Sequence, residues 1–180
     1  TRRAPAALIV PHAKETAFEP LSAVRDSRTR ATLKIQDGCV NYCAYCVIPY
    51  ARGPLRSRPL DEISAEVVAL ANEGYKEIVL TGIHLASYGR DLGHGTLLDA
   101  IDRASAPEGI RRIRLGSLEP LFVNERVAKA LSDNPKICRQ FHLSLQSGSD
   151  AVLNRMNRRY TSAGYRAAVE TLRTYMPNCA

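Results

Sequence analysis

The stretch Cys39-Val-Asn-Tyr-Cys43-Ala-Tyr-Cys46 decides how this chain is read. Its C-x3-C-x2-C spacing lets three thiolates from one compact loop converge on a cube of iron and sulfide. Three protein ligands leave one iron open, as a catalytic zinc keeps one position free and a structural zinc does not, and an open iron can chelate a small molecule through an amine and a carboxylate. The alternatives at this spacing are a zinc site completed by His84, His142 or Cys138, and three buried cysteines without a metal. Zinc knuckles favour paired C-x2-C units, which this loop lacks, so the cluster reading leads.

The segments on either side alternate strand with helix. A strand over Thr32–Ile35 runs straight into the cysteine loop. A helix is expected after Pro59, with Asp61 and Glu62 in its first turn, Ile63, Val67 and Leu70 on one stripe, and Gly74 as its stop. Glu77–Thr81 reads as a buried strand, and Thr96 with Asp99 makes a capping-box start for the helix that follows. Arg112–Leu115 is a strand, and Asn124 caps a helix to about Leu131. Ile137–Leu145 alternates as a longer strand, Ser149 caps a helix, and Thr161 or Ser162 opens the last helix, to Tyr175, with Tyr165, Ala168, Val169 and Leu172 facing inward.

Four strand-helix units in succession imply right-handed crossovers and a parallel sheet, either open and doubly wound or part of a barrel. Sites then belong at the C-terminal ends of the strands. That rule selects Cys39–Cys46, Thr81–Tyr88, Ser117–Pro120 and Gln146–Ser149 as one converging rim.

Bulk properties narrow the class. A chain of 180 residues, 45% of them hydrophobic, suits one folded domain. Its 25 Lys and Arg against 18 Asp and Glu give a formal charge of +7, which suits a polyanionic partner. Five cysteines, three of them in one loop, favour metal chemistry in a reducing compartment over a secreted disulfide framework. No apolar run is long enough for a membrane span, so a cytoplasmic location without membrane attachment is expected. Residues 1 to 30, with Pro5, Pro11 and Pro20 and no sustained periodicity, read as a linker from something upstream.

The cysteine loop after the first strand resembles the signature of the radical S-adenosylmethionine (SAM) superfamily. Ile48-Pro-Tyr-Ala-Arg-Gly-Pro-Leu-Arg-Ser-Arg58, Val79-Leu-Thr-Gly-Ile-His84 with Tyr88-Gly89, and Leu145-Gln-Ser-Gly-Ser149 with Met156-Asn-Arg-Arg-Tyr-Thr161 are similar to its methylthiotransferases. Ser117-Leu-Glu-Pro120 most resembles the branch acting on N6-threonylcarbamoyladenosine (t6A) beside the anticodon of tRNA. Sister branches act on isopentenyladenosine in tRNA or on a ribosomal-protein aspartate, and an iron-sulfur electron carrier is the alternative from another class. The resemblance implies an α/β fold, a partial, truncated parallel β/α barrel of the radical SAM type over residues 31–180. It also makes residues 1–30 a linker from an absent N-terminal methylthiotransferase domain, and missing barrel units would leave an exposed sheet edge.

The same resemblance implies a 4Fe-4S cluster on Cys39, Cys43 and Cys46, SAM at the open iron, and a second cluster in the absent domain. It implies tRNA, through its anticodon loop, as partner and an electron donor such as a flavodoxin or ferredoxin. The reaction would be methylthiolation of t6A at position 37 of tRNA. Tyr45 stands where the family places an aromatic against the SAM adenine, and Gly82 where it ends its methionine-binding strand. Glu119 and Gln146 suit hydrogen bonds to ribose or amino groups, with Ser117 and Ser147 as weaker candidates. Arg52, Arg56 and Arg58 are candidates for phosphate contact, whereas Arg155, Arg158 and Arg159 are explained by a helix end. His142 is expected to be a packed core histidine.

Overall fold

The computed structural model describes residues 18–19, 22–25 and 29–180. In chain order the elements are β1 (Arg30–Asp37), α1 (Ile48–Ala51), β2 (Arg56–Ser57), α2 (Leu60–Asn72), β3 (Glu77–Gly82) and α3 (Leu97–Ser105). These are followed by β4 (Arg112–Leu115), α4 (Glu125–Asp133), α5 (Asp150–Arg155) and α6 (Ser162–Tyr175). Short 3-10 turns at Leu85–Ser87 and Pro120–Phe122 follow β3 and β4. The sheet order is β2-β1-β3-β4, with β1, β3 and β4 parallel and β2 antiparallel along β1, curled into a half-barrel.

The strands are short apolar runs because helices and loops cover them. Ala31, Leu33 and Ile35 of β1, Ile78 and Leu80 of β3 and Ile113 of β4 are fully buried. Against them lie Ile63, Val67 and Leu70 of α2, Ala100 and Ile101 of α3, and Val127 and Leu131 of α4. These are the stripes that helical spacing placed on one face. The helix starts also follow their sequences: the Thr96 hydroxyl accepts from the Asp99 N–H while the Asp99 carboxylate accepts from the Thr96 N–H, and Asn124 accepts from Val127. α2 ends where Tyr75 N–H reaches Leu70 O across Gly74.

Three sequence expectations are corrected. Ile137–Leu145 is not a strand: it touches the sheet only at isolated parallel bridges, Ile113 with Ile137 and Leu118 with Leu143. β4 has only four residues, and no ladder joins the two bridges: Gln140 N–H folds back onto Cys138 O, and Ala180 pairs with Arg139 and Phe141 instead. Ser149 precedes α5 but caps it with no side-chain hydrogen bond. His142 is exposed, with Nδ1 2.7 Å from Ser117 Oγ.

Of residues 1–30, most lie outside the described residues. Of those described, Ala23 is buried with its N–H on Glu66, Val24 and Thr32 exchange backbone hydrogen bonds, and Arg25 forks onto Glu73. No described helix is long and apolar enough to cross a membrane.

Candidate active site

The loops after β1, β3 and β4 and the segment before α5 open onto one cavity of about 280 Å3. Cys39, Cys43, Tyr45 and Cys46 form one wall, and Ile83, His84, Ser117, Glu119, Gln146 and Arg158 complete it. The rim selected from strand ends is therefore a rim in space.

Polar side chains at the end of β1 set the cysteine loop. Asp37 is 3% exposed and accepts from the Gly38 N–H (2.7 Å), with Lys34 bonded to it and Arg56 at 3.4 Å. Burial pushes its carboxyl up, but the Lys34 hydrogen bond, the Gly38 N–H and the charges of Lys34 and Arg56 outweigh this and hold it below the usual carboxylate range. A Cβ at position 38 would come within 1.8 Å of Pro54 O, and its φ of +71° is left-handed, so only glycine lets the loop leave β1 here. Buried Gln36 donates to Asp37 O and Gly38 O and accepts the His84 N–H at 2.6 Å. It ties the cysteine loop to the loop after β3. Gly82 contributes by lacking a side chain: its Cβ would lie 2.9 Å from the Gln36 Cβ.

His84 is the centre of a polar group that the sequence reading did not nominate. Its Nδ1 lies 2.6 Å from Ser87 Oγ and its Nε2 3.0 Å from Glu119 Oε2, with Asn41 Nδ2 at 3.1 Å. With Nδ1 accepting from the Ser87 hydroxyl and Nε2–H donating to Glu119, the Asn41 amide has no acceptor on the ring and donates to Glu119 Oε1 at 3.5 Å. The His84 hydrogen bond holds the Glu119 carboxyl below its ordinary value against burial, and the charges of Arg158 and Arg159 add to this. Glu119 is thus an ionised acceptor facing the cysteines.

The far side of the loop is clamped by the segment between α5 and α6. Ala44 N–H donates to Met156 O (3.0 Å) and Asn157 Nδ2 to Tyr42 O (2.9 Å). Arg158 Nη2 donates to the Tyr45 hydroxyl (2.7 Å), its guanidinium lies over the Tyr45 and Tyr160 rings at 5.8 Å each, and Nη1 is 3.7 Å from Glu119. Its Nε is buried without a hydrogen-bond partner among the described residues. Tyr45 itself is 53% exposed.

The remaining candidates separate. Ser117 and Gln146 line the cavity, whereas Ser147 does not and accepts from the Ser149 N–H. Arg56 and Arg58 are 4% and 5% exposed, the first on Asp37 and on Arg52 O, the second beside Glu62 and Glu66. Strand β2 was not anticipated; Arg56 lies in it and Arg58 directly after it, both guanidinium groups turn inward, and Arg52 is left as the solvent-facing member of the triplet. Arg158 reverses the expectation that its group serves only a helix end.

This geometry has known counterparts. The sequence profile of the Radical SAM superfamily matches residues 33–180, and the chain belongs to that family. Solved structures share the fold: a cobalamin-dependent S-adenosylmethionine radical enzyme, OxsB, at a TM-score of 0.65 and 16% identity over 83% of this chain and 23% of that one. The radical SAM methyltransferase TsrM of Kitasatospora setae superposes at 0.62 with 19% identity, over 82% of this chain and 29% of that one.

Closer in sequence is the threonylcarbamoyladenosine tRNA methylthiotransferase MtaB of Bacillus subtilis, 43% identical over 156 residues, which are 85% of this chain and 34% of that protein. A tRNA-2-methylthio-N(6)-dimethylallyladenosine synthase of Syntrophomonas wolfei is 42% identical over 160 residues, 88% of this chain and 36% of that protein. The chain spans about a third of the length of these relatives.

Membership implies a 4Fe-4S cluster and SAM, and the residues present fit both. Three thiols line one cavity, and thiolates are the donor set an iron-sulfur cluster takes. Burial pushes the Cys39 thiol up and Cys43 and Cys46 push it further, against the Asn41 N–H. Three thiolates so placed repel one another until iron neutralises them. The unused Arg158 Nε and the ionised Glu119 offer a donor and an acceptor for a zwitterionic ligand beside them.

Proposed function

We propose that this chain is the radical-generating core, residues 31–180, of a cytoplasmic enzyme that methylthiolates t6A at position 37 of tRNA to its 2-methylthio derivative. The observation that carries the reading is the set of three thiols sharing one cavity with Glu119 and Arg158. The 43% identity to the B. subtilis threonylcarbamoyladenosine enzyme supports the substrate branch. Residues 1–30 would lead in from a methylthiotransferase domain holding a second cluster, and a flavodoxin- or ferredoxin-like donor would supply electrons. The anticodon loop of tRNA is the partner that a chain of charge +7 suits.

Cys39, Cys43 and Cys46 are the residues that would hold the cluster, with SAM bound in the cavity they share. When bound, these cofactors would supply one-electron radical chemistry directed at adenine C2. The protein positions the parts. Tyr45 offers its exposed ring to the SAM adenine, while Arg158 fixes the Tyr45 hydroxyl and keeps Nε for a carboxylate oxygen. Glu119, oriented by His84, accepts from an ammonium or ribose hydroxyl, and Gln146 and Ser117 contribute further polar atoms. Gly82 and Gln36 hold the ends of β1 and β3 close enough for one ligand to touch both. The similarity to a dimethylallyladenosine synthase favours the neutral substrate as the second reading.

Anaerobic reconstitution with iron and sulfide, followed by electron paramagnetic resonance with and without SAM, tests the class. The reduced cluster signal shifts on adding SAM, and Cys43→Ala abolishes cluster assembly; a signal indifferent to SAM, or zinc binding alone, overturns it. Nucleoside mass spectrometry of tRNA from cells lacking the full-length gene tests the branch. Loss of 2-methylthio-t6A is expected, and its persistence beside loss of another mark moves the assignment.

A further inference from the structure

A second cavity, of about 310 Å3, adjoins the first and shares Asn41 and Glu119 with it as a common wall. Its basic lining comes from three separate segments: Arg90 after β3, Arg126 in the first turn of α4, and Arg159 before α6. All three are exposed, and among the described residues none is in an ion pair or a side-chain hydrogen bond. Arg58 and Arg114 by contrast sit on carboxylates. The acidic groups nearby are already engaged: Glu119 by His84, Asn41 and Arg158, and Asp99 by its capping box with Thr96. Leu98, Leu121 and Phe122 supply an apolar side, with Leu121 55% exposed. The cavity is thus a cationic recess with a greasy flank, opening next to the cysteines.

We infer that this recess binds the free carboxylate carried by the N6 substituent of the substrate adenine, and that Arg126 and Arg159 thereby determine substrate specificity. The inference rests on the substrate reading above and deepens it. C2 and N6 flank N1 on one edge of adenine, so a base presenting C2 to the cysteine cavity directs its N6 substituent to a neighbouring recess. A threonine joined through its amine to a carbamoyl group keeps its carboxylate and its methyl-bearing side chain. Arginine forks pair with the first and Leu121 and Phe122 accommodate the second. A dimethylallyl group is neutral and would bring no anion to the three guanidinium groups, of which Arg126 and Arg159 otherwise feel, among the described residues, only the already engaged carboxylates of Asp99 and Glu119. RNA phosphates could supply the same charge, but they line the outside of a strand and need no recess sharing a wall with the reacting site.

The test is binding of anticodon stem-loops to the reconstituted full-length enzyme, read by fluorescence anisotropy at fixed salt. Three RNAs of one sequence carry t6A, its methyl ester, or N6-dimethylallyladenosine at position 37. Replacing both residues, Arg126→Gln with Arg159→Gln, weakens binding of the free-carboxylate RNA about tenfold and leaves the other two unchanged. An unchanged melting temperature verifies that the variant is folded. Equal weakening of all three RNAs assigns the arginines to phosphates and overturns the inference, as does no weakening of any. Turnover by the wild-type enzyme separates the two levels. Methylthiolation of the dimethylallyl RNA and not of the t6A RNA sinks the substrate reading itself, whereas t6A turnover with ester and carboxylate bound alike sinks only the role of the recess.

Discussion

Two arginine groups flank the cysteine loop in this chain, and they do opposite work. Arg52, Arg56 and Arg58 follow the loop and resemble a ligand-facing basic turn, yet β2 draws Arg56 and Arg58 inward onto Asp37, Glu62 and Glu66. Arg158 and Arg159 lie more than a hundred residues further on, where a helix end would account for them, and they reach the two cavities. Composition does not distinguish the groups. What does is whether the backbone carrying them is hydrogen-bonded along a strand with both faces covered, or leaves the rim with its side chains toward the opening.

The contrast breaks first at Arg56. Arg56→Ala removes a partner of a buried carboxylate and is expected to lower unfolding free energy by about 3 kcal/mol in urea titrations. A loss under about 1 kcal/mol would mean that the group is not structural after all. Asp37, the other half of that contact, gives the next test. Its carboxyl is held below its ordinary value, so its contribution is fully present above the unfolded value near pH ~4 and is lost as pH falls through the lower folded value. Asp37→Asn should therefore flatten the acid limb of stability against pH; an unaltered slope would remove Asp37 from the network.

Arg158 is predicted to behave in the opposite way. Arg158→Lys keeps the charge but loses the guanidinium geometry, and should weaken SAM binding about tenfold with little movement of the urea midpoint. Equal losses in both measurements would make Arg158 structural and erase the distinction. The smallest effect is expected at Arg52, which is half exposed and 3.9 Å from Asp37: Arg52→Ala should change stability by no more than about 0.5 kcal/mol.

Sequence reasoning succeeded where the information is local. The capping box at Thr96, the stripe Ile63, Val67 and Leu70, and the strands Glu77–Gly82 and Arg112–Leu115 each depend on neighbours a few residues away. The cysteine loop is legible for the same reason. Ile137–Leu145 failed because alternation reports a half-buried segment, not the length of strand beside it, and β4 is too short to receive nine residues. Gln36, Asn41, His84 and Arg158 are single polar residues whose roles arise only when distant loops meet. One signal was available: His84 lies within Thr81–Tyr88, a stretch marked by its place after a strand.

The clamp between Tyr42 and Asn157 joins residues 115 apart in sequence, and that separation has a kinetic meaning. During synthesis the three thiols leave the ribosome roughly ten seconds before their clamp is made, at ordinary elongation rates. Closing so long a loop is slow and entropically opposed until the helices behind it have docked. The cysteines therefore leave the ribosome on an open, oxidisable loop that is clamped only once residues 156–158 have folded against it. If the three thiols hold the proposed cluster, a chain stalled before Asn157 would carry its ligands without the clamp that fixes their loop.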